Sequence, residues 1–483
     1  MGFRWDQRIP EERPAVEPPS VWVYIVLYLI VEIAAVSLVV AQWPEGVSFA
    51  SEKFVNQALL TPFPLWLALC FVIYTLAYDG PALVTADHNR SRWRLATNWQ
   101  RELRSGVAVL DSVVLAPEPD LAERMLGLEG KAPDNPGRAM ALEDIGATGM
   151  PRVQRVLTQL MTPLLPRLAN AMRSGSFDIV TQSEGLDLAN AVQEVWKQLE
   201  LPGVPRLRSL DIGKDPGLAE CWFEGDMQPA YPYASYKLDR TPKYRLLLAW
   251  HLNEAEHDVE PAFSEAAVAL LLGSPALMQE NKDLKRQAWL LREIAGEADR
   301  VDRSLSLLLD AGQVPRERIR HFWHTRLRGI AQHGTMGAVR ESGLNLDEHA
   351  LDKAVGPQAP VSRWLLQALA AKMAHFGQGP QLVALPHEQG VALNLVAKEP
   401  APVDVPWKEE YGYDPVFGPD SAALVSLWTF VLITSPNKEW GTFETVITCL
   451  LATCLGVVFI ARNRNFVSSV AERVIDWVGG WIG

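Results

Sequence analysis

Four apolar stretches, paired near the two ends of the chain, constrain this sequence more than any other feature. They cover residues 20–41, 59–78, 422–434 and 446–461. Segments near twenty apolar residues cross a bilayer as helices, because a helix satisfies each backbone amide within its own segment. The third stretch is the shortest and stops at Ser435-Pro436; it is kept as a span because dropping it would move the flank of the fourth to the other side. The first exceeds the apolar run of a signal peptide and lacks a small-x-small cleavage site, so it is expected to remain in the protein.

The placement of cations sets the orientation. Arg4, Arg8 and Arg13 precede the first span, Arg90, Arg92, Arg94, Arg101 and Arg104 follow the second, and Arg462 and Arg464 follow the fourth. The turns inside the pairs hold one cation each, Lys53 and Lys438. Both termini and the central domain are therefore expected in the cytoplasm, at a bacterial inner membrane. The expected organisation is a cytoplasmic arm (1–19), a helix pair (20–79), a basic juxtamembrane segment (80–106), an α/β domain (107–397), a Pro-rich linker (398–420), a second helix pair (421–462) and an amphipathic interfacial helix (463–483). A further linker is read at 116–152. The five arginines, with Trp477 and Trp481 on the apolar side of the last helix, are expected to form a collar at the lipid surface.

The formal net charge is −12, which disfavours nucleic acid as a partner. Of the four cysteines, Cys70, Cys449 and Cys454 lie in the apolar stretches and only Cys221 lies in the central region. That excludes a disulfide framework or cysteine-based zinc site there. No cofactor site and no metal site is read. His321 and His324 are three apart on a strand and so face opposite sides, one expected packed and one solvated. Glu32, within the first span, is either a functional group or a packing contact to a neighbouring helix.

Apolar runs at 107–115, 177–181, 244–252, 266–272 and 319–325 predict strands, and 381–385 with 391–396 predict a hairpin. Helical spacing covers 153–172, broken at Pro163 and Pro166, and also 186–199, 299–310 and 362–376. A short helix is read within 121–128. Strands separated by such helices argue for α/β layering. No repeat of fixed period is visible in the sequence.

From Leu309-Asp310-Ala311-Gly312-Gln313-Val314-Pro315 through the strand to His324-Thr325, the chain resembles the second half of a β-ketoacyl synthase, a thiolase-like protein. The likeness extends over about residues 240–397, including the closing helix and hairpin. It implies a layered thiolase-like fold, a tendency to form a homo-oligomer, and an acyl-transfer site with a cysteine nucleophile and histidines. The candidates for that site are Cys221 and His324. Cys221 follows Glu220 and is not set in a small-residue turn, His324 lacks the following glycine, and Gln332-His333-Gly334-Thr335 carries the motif letters at another place. The residues thus point to a degenerate thiolase-like domain, a pseudoenzyme, flanked by transmembrane helix pairs. The layout also resembles bacterial membrane proteins associated with type VI secretion, through Val21-Trp22-Val23-Tyr24 and Phe263-Ser264-Glu265-Ala266-Ala267-Val268. That likeness implies a scaffold or adaptor for a cytoplasmic protein partner such as a secreted toxin or spike protein. The alternative is a membrane-bound acyltransferase of the ketosynthase type.

Overall fold

Two apolar runs with no alternation, Tyr244–His251 and Ala266–Gly273, are buried along their whole length. Strands covered on both faces read this way, and these two sit inside a large mixed sheet. The computed structural model describes residues 3–44, 48–49, 51–55, 58–59, 62–135, 137–143, 151–183, 188–209, 242–253, 260–415, 421, 424–425, 427–428 and 441–462. Contacts divide the chain into two units. The first is Met1–Arg8 with Thr97–Asp404, and the second is Ile9–Ala96 with Val405–Gly483.

The first unit holds eleven strands among the described residues: β1 (Gly106–Leu115), β2 (Phe177–Gln182), β3 (Arg206–Ser209), β4 (Tyr244–His251), β5 (Ala266–Gly273), β6 (Ala288–Leu291), β7 (Ile294–Glu297), β8 (His321–His324), β9 (Asp347–Ala350), β10 (Gln381–His387) and β11 (Gly390–Ala397). Outward from the centre, one half of the sheet runs β1-β5-β4-β2-β3 and the other β6-β11-β10-β8-β9, with β7 paired to β11. In each half the first two contacts are antiparallel and the last two parallel. The halves meet antiparallel at β1 and β6. Strands of matching chain order thus occupy matching places: the fold is duplicated, although the sequence shows no repeat.

Two apolar helices, α1 (Val21–Ala41) and α2 (Pro62–Tyr74), belong to the second unit, and α2 continues through a π turn into α3 (Gly80–Leu103). The first unit adds α4 (Arg152–Met161), α5 (Leu165–Ser174), α6 (Leu188–Gln198), α7 (Val301–Asp310), α8 (Gly329–Glu341) and α9 (Ser362–His375). Pro163 and Pro166 interrupt α4 and α5 with a short 3₁₀ turn, as expected from their missing amides. Helices α4–α6 cover the outer face of the first half-sheet. Helix α9, buried at every position except Lys372 and His375, lies between the two half-sheets. Helices α7 and α8 cover the outer face of the second half-sheet. The layers are therefore α-β-α-β-α. A helix with no solvent face reads as apolar all round. One polar pair inside α9's packing is self-satisfying, with Gln367 Nε2 2.9 Å from Asn394 Oδ1 and Asn394 Nδ2 3.3 Å from Gln367 Oε1.

The stretch expected as a linker at 116–152 is non-regular over much of its described length, but it is tied down. Asn135 N–H donates to Lys353 O (2.8 Å), Met140 N–H to Ser264 Oγ (3.0 Å) and Glu265 N–H to Met140 O (2.8 Å). Glu265, itself buried, accepts from Leu142 N–H and both Arg152 terminal nitrogens. Gly356, at φ +77°, permits this passage, because a Cβ there would lie 2.0 Å from Arg138 O.

In the second unit, Trp66 of α2 donates to Tyr24 O of α1 (2.9 Å). By length and composition, α1 and the helical run Leu65–Leu103 are each long and apolar enough to cross a membrane. The stretch expected as the third span falls mostly outside the described residues, and the fourth lies within α10 (Thr442–Arg462). Within the second unit, residues 12–13, 405, 408 and 411 gather about residues 80–96 of α3. Asn89 bonds Arg13 N–H and O at 2.9 Å each, Trp93 Nε1 donates to Val405 O (3.0 Å), and Glu12 accepts from both Lys408 Nζ (2.6 Å) and Tyr411 Oη (2.8 Å).

Candidate functional site

The chemistry-bearing side chains cluster on two short neighbouring strands at one edge of the sheet. His321-Phe322-Trp323-His324 is β8 and Asp347-Glu348-His349-Ala350 is β9, paired in parallel with His321 opposite Asp347 and Trp323 opposite His349. Alternation then splits them between two faces.

On one face His321 Nδ1 lies 3.0 Å from His349 Nε2, and Asp347 Oδ2 lies 4.0 Å from the same His321 nitrogen. The Trp323 ring lies 4.8 Å from the His349 ring, tilted by 40°, and its N–H donates to Gln381 Oε1 (2.7 Å). Both imidazoles are buried. Burial, then the neighbouring His321, pushes His349 down to about 4, against a hydrogen bond to the Met125 backbone. Burial also lowers His321, with Asp347 opposing. Both rings are therefore neutral at pH 7.

On the other face His324 Nε2 lies 3.1 Å from Glu348 Oε1, and Lys353 Nζ lies 3.5 Å from the same oxygen. Burial tends to raise Glu348, but the hydrogen bond and charge of His324, then Lys353, hold its carboxyl below the usual range. A carboxylate so placed fixes the orientation of an imidazole, as in an acid–base pair. The chain leaves β8 through Thr325 and Arg326. Arg326 has φ +56°, and its N–H is held by Asp352 Oδ2 at 2.7 Å.

Opposite faces for His321 and His324 were expected and are found, but neither histidine is solvated: they are 9% and 4% exposed. The strand β9 was missed, since Asp-Glu-His-Ala carries no β signal, and with it the partners Glu348 and His349. His333 lies exposed on α8. Cys221, Trp477 and Trp481 lie outside the described residues, so the acyl-transfer pair Cys221 and His324 has no described geometry. Arg90, Arg92, Arg94 and Arg101 lie on α3, with Arg104 just after it. Arg90 Nε donates to Tyr411 O (2.9 Å), Arg92 Nε to Pro10 O (2.8 Å) and Arg104 to Pro402 O, while Arg94 and Arg101 are exposed.

Among the described residues, large side chains pack around the start of α9. Trp364 is fully buried and donates to Gln182 Oε1 at the end of β2, and the Arg363 guanidinium lies 5.3 Å from the Trp364 ring. A small cleft lined by Leu142, Glu143, Arg152, Arg155 and Val156 has room for about one water molecule and includes no residue of β8 or β9.

No protein-family model and no curated protein matches this chain. Solved structures of similar shape are condensing enzymes and thiolases. The oxazolomycin ketosynthase domain of Streptomyces albus is 12% identical, with a TM-score of 0.40, covering 62% of this chain and 98% of its own. The ketosynthase from module 1 of the bacillaene synthase of Bacillus amyloliquefaciens is 9% identical, at 0.41, covering 70% and 81%. The peroxisomal 3-ketoacyl-CoA thiolase of Saccharomyces cerevisiae is 10% identical, at 0.40, covering 61% and 98%, and is described as five-layered with two core domains of identical topology. TM-scores of this size carry no argument by themselves; the duplication described above stands on this chain's own strand order.

Proposed function

We propose that this chain is a membrane-anchored scaffold, in which a duplicated, thiolase-like α/β body offers a protein-binding surface in the cytoplasm and does not turn over a small substrate. The observation that supports this reading is the filled interior. His324 is 4% exposed, tied to Glu348 and stacked 5.3 Å from Phe322, and Trp323 and Trp364 fill the layer between the half-sheets at 0% exposure. A condensing site needs room for an acyl chain beside its histidine. The four apolar stretches anchor the body at the inner membrane with both termini inside, and a homo-oligomer is the expected assembly. A role with a secreted toxin rests on the resemblance of two short segments.

The alternative reading, acyl transfer by Cys221 with His324, is favoured by the Glu348–His324 pair, which is built as an acid–base couple would be. The two part at the thiol. Cys221→Ser and His324→Gln are introduced separately into the full chain and scored for the biological phenotype, with an electrophilic acyl probe applied to purified protein. Retained phenotype without labelling is the scaffold outcome. Labelling at Cys221 with loss of phenotype in both variants overturns it.

A further inference from the structure

Among the described residues, the sheet of the first unit ends in two open edges, β3 in the first half and β9 in the second. An open edge presents unpaired backbone N–H and C=O groups and is a template for another strand. The two edges are oppositely charged. β3 reads Arg206-Leu207-Arg208-Ser209 and holds no acid, whereas β9 reads Asp347-Glu348-His349-Ala350 and holds no cation while His349 is neutral. Arg206 is exposed, and the Asp347 side chain is 81% exposed. Arg208 lies 3.6 Å from Asp178, and Glu348 is shared by His324 and Lys353, so Arg206 and Asp347 are the charges that reach outward. Register puts them on equivalent faces. Arg206 and Arg208 lie beside Asp178 and Val180, and Asp347 lies beside His321, two residues before Trp323. Val180 and Trp323 both pack in the layer around α9.

We propose that a second copy of this chain docks edge to edge, its β9 beside β3 of the first, so that the sheet continues from one molecule into the next. Charges on an edge strand normally guard against pairing with another chain. The same sign on both edges would guard against every such pairing, whereas opposite signs guard only against like edges. Two β3 strands related by a two-fold axis bring Arg206 of one copy next to Arg208 of the other, and two β9 strands bring acid beside acid; like charges facing each other across a strand pair are destabilising. β3 against β9 brings Arg206 to Asp347 instead. Long side chains reach diagonal as well as direct neighbours, so this attraction does not hang on a single register. Because the two contacting edges differ, the contact is heterologous, and it builds a ring or an open row of copies. The proposal rests on the homo-oligomer expected above and names its interface.

The test uses the full-length protein in detergent, its native cysteines replaced, in two differently tagged forms. One carries Ser209→Cys at the end of β3 and the other Asn345→Cys just before β9, both at exposed positions. Mixed and treated with a short bis-maleimide, the two forms should cross-link to each other, and neither should cross-link to itself. Arg206→Glu in the first form should lower the yield by about fivefold, the effect of turning one attractive cross-strand pair repulsive. Asp347→Arg in the second form should then restore it, a rescue that a fold defect would not give. Ser209→Cys linking to itself, or a yield unmoved by Arg206→Glu, overturns the proposal. Light scattering keeps the two readings apart. Oligomers that form without the Ser209–Asn345 link overturn this interface alone, and a monomer at every concentration overturns the homo-oligomer as well.

Discussion

Replacing Gly356 by alanine tests whether the strap at 131–143 is part of the folded body. Two penalties add. The backbone at φ +77° and ψ −172° lies in a region essentially confined to glycine and costs a residue with a Cβ roughly 1–3 kcal/mol. The added Cβ would also lie 2.0 Å from Arg138 O and 2.9 Å from Arg138 C, which is backbone and cannot rotate away. Relief requires the strap to lift, and lifting it strains the bonds that hold Asn135, Met140 and Leu142. At about 0.5–1.5 kcal/mol each, losing two or three of these adds roughly 1–4 kcal/mol, for a total near 4. Gly377→Ala is the internal control. Its φ is +86°, yet nothing lies within 4 Å of its Cβ position, so it should cost only about 1 kcal/mol. Urea unfolding in detergent, followed by fluorescence of the buried Trp250, Trp323 and Trp364, measures both. Limited proteolysis should cut the strap in Gly356→Ala and spare it in Gly377→Ala. Equal destabilisation of the two variants would show that the strap does not bear on Gly356.

Three further outcomes are expected. Asp178 and Arg245 form a buried fork at 2.8 and 2.9 Å, so Asp178→Ala should destabilise by about 3–5 kcal/mol, whereas Asp178→Leu with Arg245→Met should come close to neutral; thermal melting of both decides, and a double variant no better than the single refutes the assignment. His349 titrates at about 4 in the folded protein against about 6.5 unfolded. Its contribution, of order 3 kcal/mol, is complete above pH 6.5 and is lost as pH falls toward 4; His349→Gln should flatten that part of the stability–pH curve. In a background with the native cysteines removed, single cysteines at Ser51 and Asn437 should label from outside the cell and one at Ser342 should not, and the reverse pattern ends the proposed topology.

How much was legible follows from which forces left a mark on the chain. The buried strands β4, β5, β10 and β11, and helix α9, announce themselves because burial on every side demands continuous apolar sequence. The break between α4 and α5 announces itself through Pro163 and Pro166. The edge strands do not. Arg206–Ser209 and Asp347–Ala350 are short and polar, and register alone makes them strands, so the partners of His321 and His324 were hidden. The strap was misread as a linker because proline and glycine mark loops whether or not their backbone is hydrogen-bonded to a core. The duplication was invisible for a related reason: topology is preserved by the pattern of burial, which many sequences satisfy, and not by particular residues.

The duplication also supplies a comparison within the molecule. In the first half Asp178 on β2 pairs directly with Arg206 on β3, and Arg208 stands diagonally, 3.6 Å away. In the second half His321 on β8 pairs directly with Asp347 on β9, and His349 stands diagonally at 3.0 Å. These are matching positions on matching strands, and both carry a polar network. The first network is closed electrostatically: Arg245 forks the Asp178 carboxylate from β4, and its cationic partners have no lone pair to offer a ligand. The second joins two neutral rings sharing one proton, with a carboxylate turned to solvent. If the outer strands needed only to be held together, an ion pair like that of the first half would serve in both places. The second half instead joins its outer strands through two uncharged rings, so the two halves hold the same place in the fold by different chemistry.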